Sequence, residues 1–122
     1  VYRPLRFTNS SGSTCTMIGY PGVSYVAGDN GVQVGAAAVR TGGNRVLVTL
    51  APGQVASATV GFTQVDNFDP AACQKTAVRG LRVYPPHDTA SLFIANPGFG
   101  CAGRVPGAQL QVKTVVRGPG GA

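Results

Sequence analysis

Residues that carry acid–base or nucleophilic chemistry are scarce in this sequence, which has one histidine, four aspartates, three cysteines and no glutamate. His87 and Asp88 follow two prolines, and Cys15 is a candidate nucleophile for them. An adjacent His–Asp pair in a turn usually faces solvent, and the sequence has no G-x-S-x-G nucleophile elbow. We therefore expect no enzymatic activity, and a small cysteine-dependent enzyme is the least favoured alternative.

Metal and cofactor sites have equally little support from residue spacing. Cys15, Met17 and His87 are ligand types that copper accepts, and three cysteines with one histidine could bind zinc, but neither set has the spacing of a metal motif. Residues 98–103 spell G-x-G-x-x-G, yet the Arg-Val-Pro-Gly that follows cannot open the helix that a dinucleotide fingerprint needs. The sequence predicts no metal and no cofactor.

Two of the three cysteines, Cys73 and Cys101, lie in separate turn-rich segments. We expect a disulfide between them, which would stabilise the fold by about 3.6 kcal/mol in the chain-entropy treatment of such a loop. A disulfide indicates an oxidising compartment. Cys15 is then left without a partner in this chain.

Positive charge exceeds negative charge by six, from ten Lys and Arg residues against four Asp. The cations are scattered, with no three charged residues adjacent, so a dedicated nucleic-acid surface is not expected. The simplest interpretation is a soluble domain with few charges. The alternative is a basic surface that binds an anionic polymer or a lipid headgroup, with these candidate anion-binding residues: Arg79, Arg82, Lys113 and Arg117.

Glycine and proline interrupt the chain about every ten residues, and the segments between them are short and rich in valine. No apolar run approaches the roughly 18 residues that a membrane span needs. The pattern is typical of an all-β, immunoglobulin-like antiparallel sandwich of about seven or eight strands, in one domain over residues 1–117 with a disordered tail at 118–122.

The predicted strands end at turn residues and alternate between apolar and polar side chains. They are Tyr2–Asn9, Thr14–Gly19, Val23–Ala27, Arg45–Leu50, Val55–Val65, Ala77–Tyr84, Ser91–Ala95 and Gln109–Val116, and Val32–Val34 could pair back as a short hairpin. Three segments are expected to be irregular: Gly35–Asn44, Asp66–Gln74 and Asn96–Gly107. Four aromatic residues beside turns are expected to plug the ends of the core rather than to form an exposed patch: Tyr20, Tyr25, Tyr84 and Phe99.

Five short motifs occur in a fixed order along residues 5–116. They are Thr8-Asn-Ser-Ser-Gly-Ser-Thr-Cys15, Gly19-Tyr-Pro-Gly22, Leu50-Ala-Pro-Gly53, Leu81-Arg-Val-Tyr-Pro-Pro86 and the late Cys101. Together they resemble a domain-of-unknown-function family found in secreted proteins and lipoproteins of actinobacteria. The resemblance implies an immunoglobulin-like sandwich that is secreted or on the cell surface, with lipid anchoring as an option for the native protein. It implies no activity, substrate or catalytic residue.

The same resemblance implies a further strand before Tyr2–Asn9, carrying a fourth cysteine. Cys15 would then have lost its partner, and the sheet edge left open could pair with an edge strand of another chain or form a dimer. These features together predict a non-enzymatic binding or interaction module of a bacterial cell envelope, with an envelope protein or glycan as its partner. No transmembrane segment and no specific ligand are indicated.

Overall fold

The computed structural model describes residues 1–86 and 90–120 and is built almost entirely of β-strands. Within these ranges there are eleven strands, a 3₁₀ turn at Val65–Asn67 and a single-turn helix, α1 (Pro70–Cys73). The strands are β1 (Tyr2–Thr8), β2 (Cys15–Met17), β3 (Gly22–Ala27), β4 (Val32–Val34), β5 (Val39–Arg40), β6 (Val48–Leu50), β7 (Val55–Phe62), β8 (Lys75–Tyr84), β9 (Leu92–Cys101), β10 (Leu110–Val112) and β11 (Val116–Arg117).

Two sheets form the layers of a sandwich. The first has the strand order β1-β7-β10-β5, with β11 beside β7, and the second has the order β4-β3-β8-β9. Strands β2 and β6 form a separate two-stranded sheet. Among the described strands every pairing is antiparallel except that of β10 with β5. The predicted all-β antiparallel sandwich is confirmed.

The core lies between the two sheets and follows from the period-two alternation of the strands. In β7, Ala56, Ala58 and Val60 are buried, and in β8, Leu81 and Val83 face them from the other layer. Small alanines opposite larger aliphatic residues let the two layers approach closely.

The strand count exceeds the predicted seven or eight because one predicted strand is divided and two short strands, β4 and β5, are added. The predicted strand Gln109–Val116 is two strands, β10 and β11, which pair with opposite ends of β7. The segment Gly35–Asn44, predicted to be irregular, contributes the two-residue β5. These pieces extend the first sheet without a long hydrophobic run of their own.

Three further predictions about elements are corrected. The strand predicted over Arg45–Leu50 is shorter, because β6 begins at Val48 and Val46, before it, is exposed. The segment Asn96–Gly107 was predicted to be a loop, but β9 continues to Cys101 because β8 pairs with it along almost its whole length. Asp66–Gln74, also predicted as a loop, contains α1 and part of the 3₁₀ turn.

The predicted disulfide between Cys73 and Cys101 is present, and both cysteines are buried. Beside it lies Gln109, whose buried Oε1 accepts the Cys101 N–H at 2.7 Å. Its Nε2 donates to Val34 O at 3.2 Å and to Cys101 O at 3.3 Å. Gly35 contacts the same groups so closely that a Cβ there would collide with Cys101 O and the Gln109 amide. The disulfide and the Gln109 amide therefore tie α1, β9 and the end of β4 together.

A side-chain network closes the turn after β1. The buried Asn9 Nδ2 donates to Ser13 O at 2.8 Å and to Leu50 O at 2.9 Å, and its Oδ1 accepts hydrogen bonds from the N–H and hydroxyl of Ser11. At the other end of the chain, Gly118 N–H donates to Val55 O at 2.8 Å and Pro119 O accepts from Arg6 Nε at 2.8 Å. The first residues of the segment predicted as a tail thus contact β1 and β7.

Candidate functional site: the outer face of the second sheet

A β-bulge in the pairing of β8 with β9 determines which side chains reach the outer face of the second sheet. The register shifts between Val78, which pairs with Gly98, and Gly80, which pairs with Ala95, so Arg79 lies opposite two residues of β9. Before the bulge the outward residues are odd-numbered, such as Arg79, and after it Leu81 and Val83 face the core while Arg82 faces outward. A bulge therefore directs two arginines three positions apart to the same face.

Both guanidinium groups are held by the tight turn between β3 and β4. Arg79 Nη1 donates to Gly28 O at 3.2 Å, and Arg82 Nη1 donates to Gly31 O at 3.2 Å. Arg82 Nη2 also donates to Gln33 Oε1 at 3.1 Å. The Nε–H of Arg82 is buried and has no hydrogen-bond partner within the described part of the chain. These bonds fix the two charges in place and leave other guanidinium N–H groups to contact a ligand.

An exposed aromatic ring lies beside the two arginines. Phe93 lies directly opposite Arg82 in the β8–β9 pairing, and Arg79 Cζ is 5.8 Å from the centroid of its ring. Phe93 is 54% exposed. The two arginines, the ring and the turn line one cavity of about 420 Å³ together with Ser91 and Leu92. We call this the arginine cavity.

The carboxylate of Asp29 competes for one of these cations. Asp29 Oδ1 is 3.6 Å from Arg79 Nη1, and both side chains are largely exposed. Because solvent and salt screen such a pair, it holds the guanidinium only weakly. An incoming anion can therefore displace Asp29 at little cost.

A second cation–ring pair lies where β9 approaches the start of β1. Lys75 Nζ is 4.7 Å from the centroid of the Phe99 ring and 3.2 Å from Asp66 Oδ1. These three residues line a neighbouring cavity of about 330 Å³ with Arg3 and Tyr25. Burial raises the pKa of the Tyr25 phenol above its ordinary value, so this hydroxyl stays neutral. The two cation–ring pairs therefore lie in separate cavities, the first on the outer face and the second where β9 approaches the start of β1.

This arrangement suits recognition of an anion rather than a covalent step. Arginine presents paired N–H donors that match the oxygens of carboxylate, sulfate or phosphate groups. An adjacent exposed ring adds apolar contact area. A ligand that combines a negative charge with an apolar or cyclic part fits the arginine cavity.

Of the four candidate anion-binding residues, the structure brings Arg79 and Arg82 into one cavity. Lys113 and Arg117 belong to the first sheet. Lys113 follows β10 and donates its N–H to Thr59 O, and Arg117 lies in β11 opposite Ala56. The four residues therefore do not form a single surface.

The structure does not bring the other sequence candidates together among the residues that it describes. Cys15 is a free, exposed cysteine on β2, while His87 and Asp88 lie outside the described residues. In residues 1–86 and 90–120 no three His, Cys, Asp or Glu side chains are close enough to hold a metal. The G-x-G-x-x-G run is the end of β9 and the turn after it.

Several members of the face were missed from the sequence. Phe93 was assigned to a strand without a functional role, and Phe99 was expected to plug the core but is 53% exposed. Tyr25, by contrast, is buried in the core as expected. Because side chains alternate along a strand, Phe93 must lie on the opposite face from Leu92 and Ile94, and this was a usable signal that its ring is on the outer face. The bulge that brings Arg79 and Arg82 to one face could not be predicted from the periodicity of a single sequence.

Fold and surface define the class of this protein: a disulfide-bonded β-sandwich domain that presents strand-borne cations and aromatic rings. Residues 1–116 match the model of the family described as Domain of unknown function (DUF4232), and the chain belongs to that family. A search of curated proteins found no match, and neither did a search of solved structures. The described residues contain no helix long and apolar enough to cross a membrane.

Proposed function

We propose that this domain is a non-enzymatic binding module of a bacterial cell envelope that works outside the cytoplasm. The disulfide supports an oxidising location. Hydrogen-bonded arginines beside an exposed aromatic ring support a binding role. An envelope protein or glycan is the partner class, and the family resemblance adds secretion or lipid anchoring and an actinobacterial source.

The specific candidate within this proposal is binding of an anionic polymer or lipid headgroup at the arginine cavity. The single observation that carries it is the pair of guanidiniums fixed on Gly28 O and Gly31 O beside the exposed Phe93 ring. Side chains held in advance lose less conformational entropy when a ligand binds. The shared chemistry of both ligand sources is a phosphate or similar oxyanion.

The test compares two charge-matched double variants. Binding of inorganic polyphosphate and of vesicles of phosphatidylglycerol in phosphatidylcholine is measured by titration at several salt concentrations. We expect Arg79→Gln with Arg82→Gln to weaken binding at least about tenfold. Lys113→Gln with Arg117→Gln removes the same net charge from the other sheet and should change affinity less than about twofold.

The two probes separate the two ligand sources. Binding of polyphosphate alone assigns a polymer, and binding of vesicles alone assigns a lipid headgroup. Equal losses in the two double variants would show that only net charge matters, which would sink the cavity assignment. A hydrolytic turnover that disappears in Cys15→Ala would contradict the non-enzymatic assignment.

A further inference from the structure

The two sheets leave an open seam at one flank of the sandwich, between the edges of β1 and β9. Strand β1 pairs with β7 and β9 pairs with β8, and neither pairs with any other described strand. Core-facing side chains are uncovered there: Leu92 is 57% exposed and Ile94 is 37% exposed although they lie opposite the buried Val83 and Leu81.

Two cavities lie along this seam. One of about 240 Å³ is lined by Arg3, Leu5, Leu81 and Ile94, among others. The next, of about 370 Å³, is lined by Phe7, Leu92 and Cys15 among others. The seam therefore has an apolar floor over a length of five residues on β9, 92–96, which is about 17 Å of strand.

The two edges differ in their capacity to pair with a further strand. Val1 and Asn9 form backbone hydrogen bonds with β7 and the residues that flank it. The N–H and C=O groups of the odd-numbered residues of β1 therefore point toward β7, and those of the even-numbered residues point toward the open edge. Pro4 is one of these even-numbered residues and has no N–H to donate, which blunts that edge. Residues 92–96 of β9 contain no proline, so the complete backbone ladder is available on β9.

Charge identifies the chemistry of the occupant. Arg3 lines the first cavity and Arg6 lines the second, and none of the described residues that line either cavity carries a carboxylate. A second copy of this chain, with its net charge of +6, would meet like charge at this surface. An acidic strand would meet opposite charge at both ends.

We propose that the open seam is an acceptor groove for an extended segment of a partner protein, with aliphatic side chains at alternate positions and acidic residues at its ends. The segment adds to the β9 edge as a further strand. Its aliphatic side chains cover Leu5, Leu92 and Ile94, and its carboxylates face Arg3 and Arg6. This inference rests on the β1 and β9 edges and not on the two arginines of the outer face, although Leu92 lines both the arginine cavity and the seam.

The probes are three fluorescent heptapeptides: DVTVTVD, the basic analogue KVTVTVK, and DVTPTVD, whose central proline prevents strand pairing. Fluorescence anisotropy should show saturable binding of DVTVTVD to the intact chain, at least about tenfold tighter than that of either analogue. Occupancy should also slow the reaction of Cys15 with a thiol reagent, because Cys15 lines the second cavity.

Two variants and a matched control locate the contact. Ile94→Lys places a charge on the apolar floor and should weaken DVTVTVD binding at least about tenfold. Val32→Lys makes a similar change at an exposed apolar position on β4, the opposite edge of the same sheet, and should leave binding unchanged. Arg3→Glu should reduce the preference for DVTVTVD over KVTVTVK at least about fivefold.

Three results would overturn the proposal. One is equal affinity for DVTVTVD and DVTPTVD, and another is binding that survives Ile94→Lys. The third is self-association of the chain that Ile94→Lys abolishes, because the occupant would then be a second copy.

Discussion

The pair Arg79 and Arg82 and the pair Lys113 and Arg117 have similar spacing in the sequence but different surroundings in the fold. The first pair shares a cavity, where both guanidiniums bond to carbonyls of one turn. The second pair is divided between the end of β10 and the strand β11, with the buried Thr114 and Val115 between them. Within residues 1–86 and 90–120, side-chain hydrogen bonds hold the first pair and not the second.

The spacing of two residues along a strand therefore predicts whether they share a face only when the pairing register of that strand is known. Residues three apart point to opposite faces of a regular strand, and the bulge before Gly80 reverses this for Arg79 and Arg82. Residues four apart would share a face in one continuous strand, but a break separates Lys113 from Arg117. The following changes test this contrast, from the largest expected effect to the smallest.

Filling the space beside Gly80, where β8 approaches the backbone of β9, should have the largest effect, a loss of stability. A Cβ at Gly80 would collide with the backbone oxygen of Ile94, so Gly80→Ala should destabilise the fold by about 2–3 kcal/mol and lower Tm by about 10 °C. Thermal unfolding monitored by circular dichroism measures this. Gly98→Ala, where nothing lies within 4 Å of the added Cβ, is the control and should leave Tm nearly unchanged. Equal Tm values for the two variants would contradict the role of Gly80.

Removing the ring that orients Arg79 should have an intermediate effect. Phe93→Leu eliminates a cation–ring contact of about 0.5–1 kcal/mol, so polyphosphate affinity should fall about threefold. Phe99→Leu removes the matching contact from Lys75, which Asp66 still holds at 3.2 Å, and should change affinity less. Titration calorimetry with both variants makes the comparison, and a larger loss in Phe99→Leu would move the site to the neighbouring cavity.

Removing the competing carboxylate should have the smallest effect, and in the opposite direction. Asp29→Asn eliminates the acidic group 3.6 Å from Arg79 Nη1, so polyphosphate affinity should rise, by less than about twofold because the pair is exposed. Asp69→Asn changes the net charge equally at a position outside the arginine cavity. If the two variants bind alike at low salt, Asp29 has no specific part in the site.

Local alternation was sufficient to predict the layers of the fold. The strands that correspond to β7 and β8 and the disulfide between Cys73 and Cys101 were predicted from residue type and spacing, and these predictions hold. Each depends on neighbours in the chain or on the general rule that apolar residues and bonded cysteines are buried. Single-sequence patterns carry such information well.

Register and long-range pairing were not predictable in the same way. Val46 fits the apolar pattern of β6, yet it lies outside the strand because β2 provides partners only for Val48, Thr49 and Leu50. The continuation of β9 past Pro97 depends on β8 pairing with it. The arginine cavity requires the bulge, the turn at Gly28 and Gly31, and β9 at once, so it emerges only when all three are assembled.

The Asn9 network has a consequence for production of this domain in a eukaryotic secretory host. Asn9-Ser-Ser11 is an N-glycosylation acceptor sequence, but its amide nitrogen is buried and donates to Ser13 O and Leu50 O. A glycan added during synthesis would replace one of the two Nδ2 hydrogens, so at least one of these bonds would be lost, and the sugar could not fit beside the buried nitrogen. Glycan occupancy at Asn9 should therefore be found in misfolded, retained material, while the secreted fraction carries an unmodified asparagine.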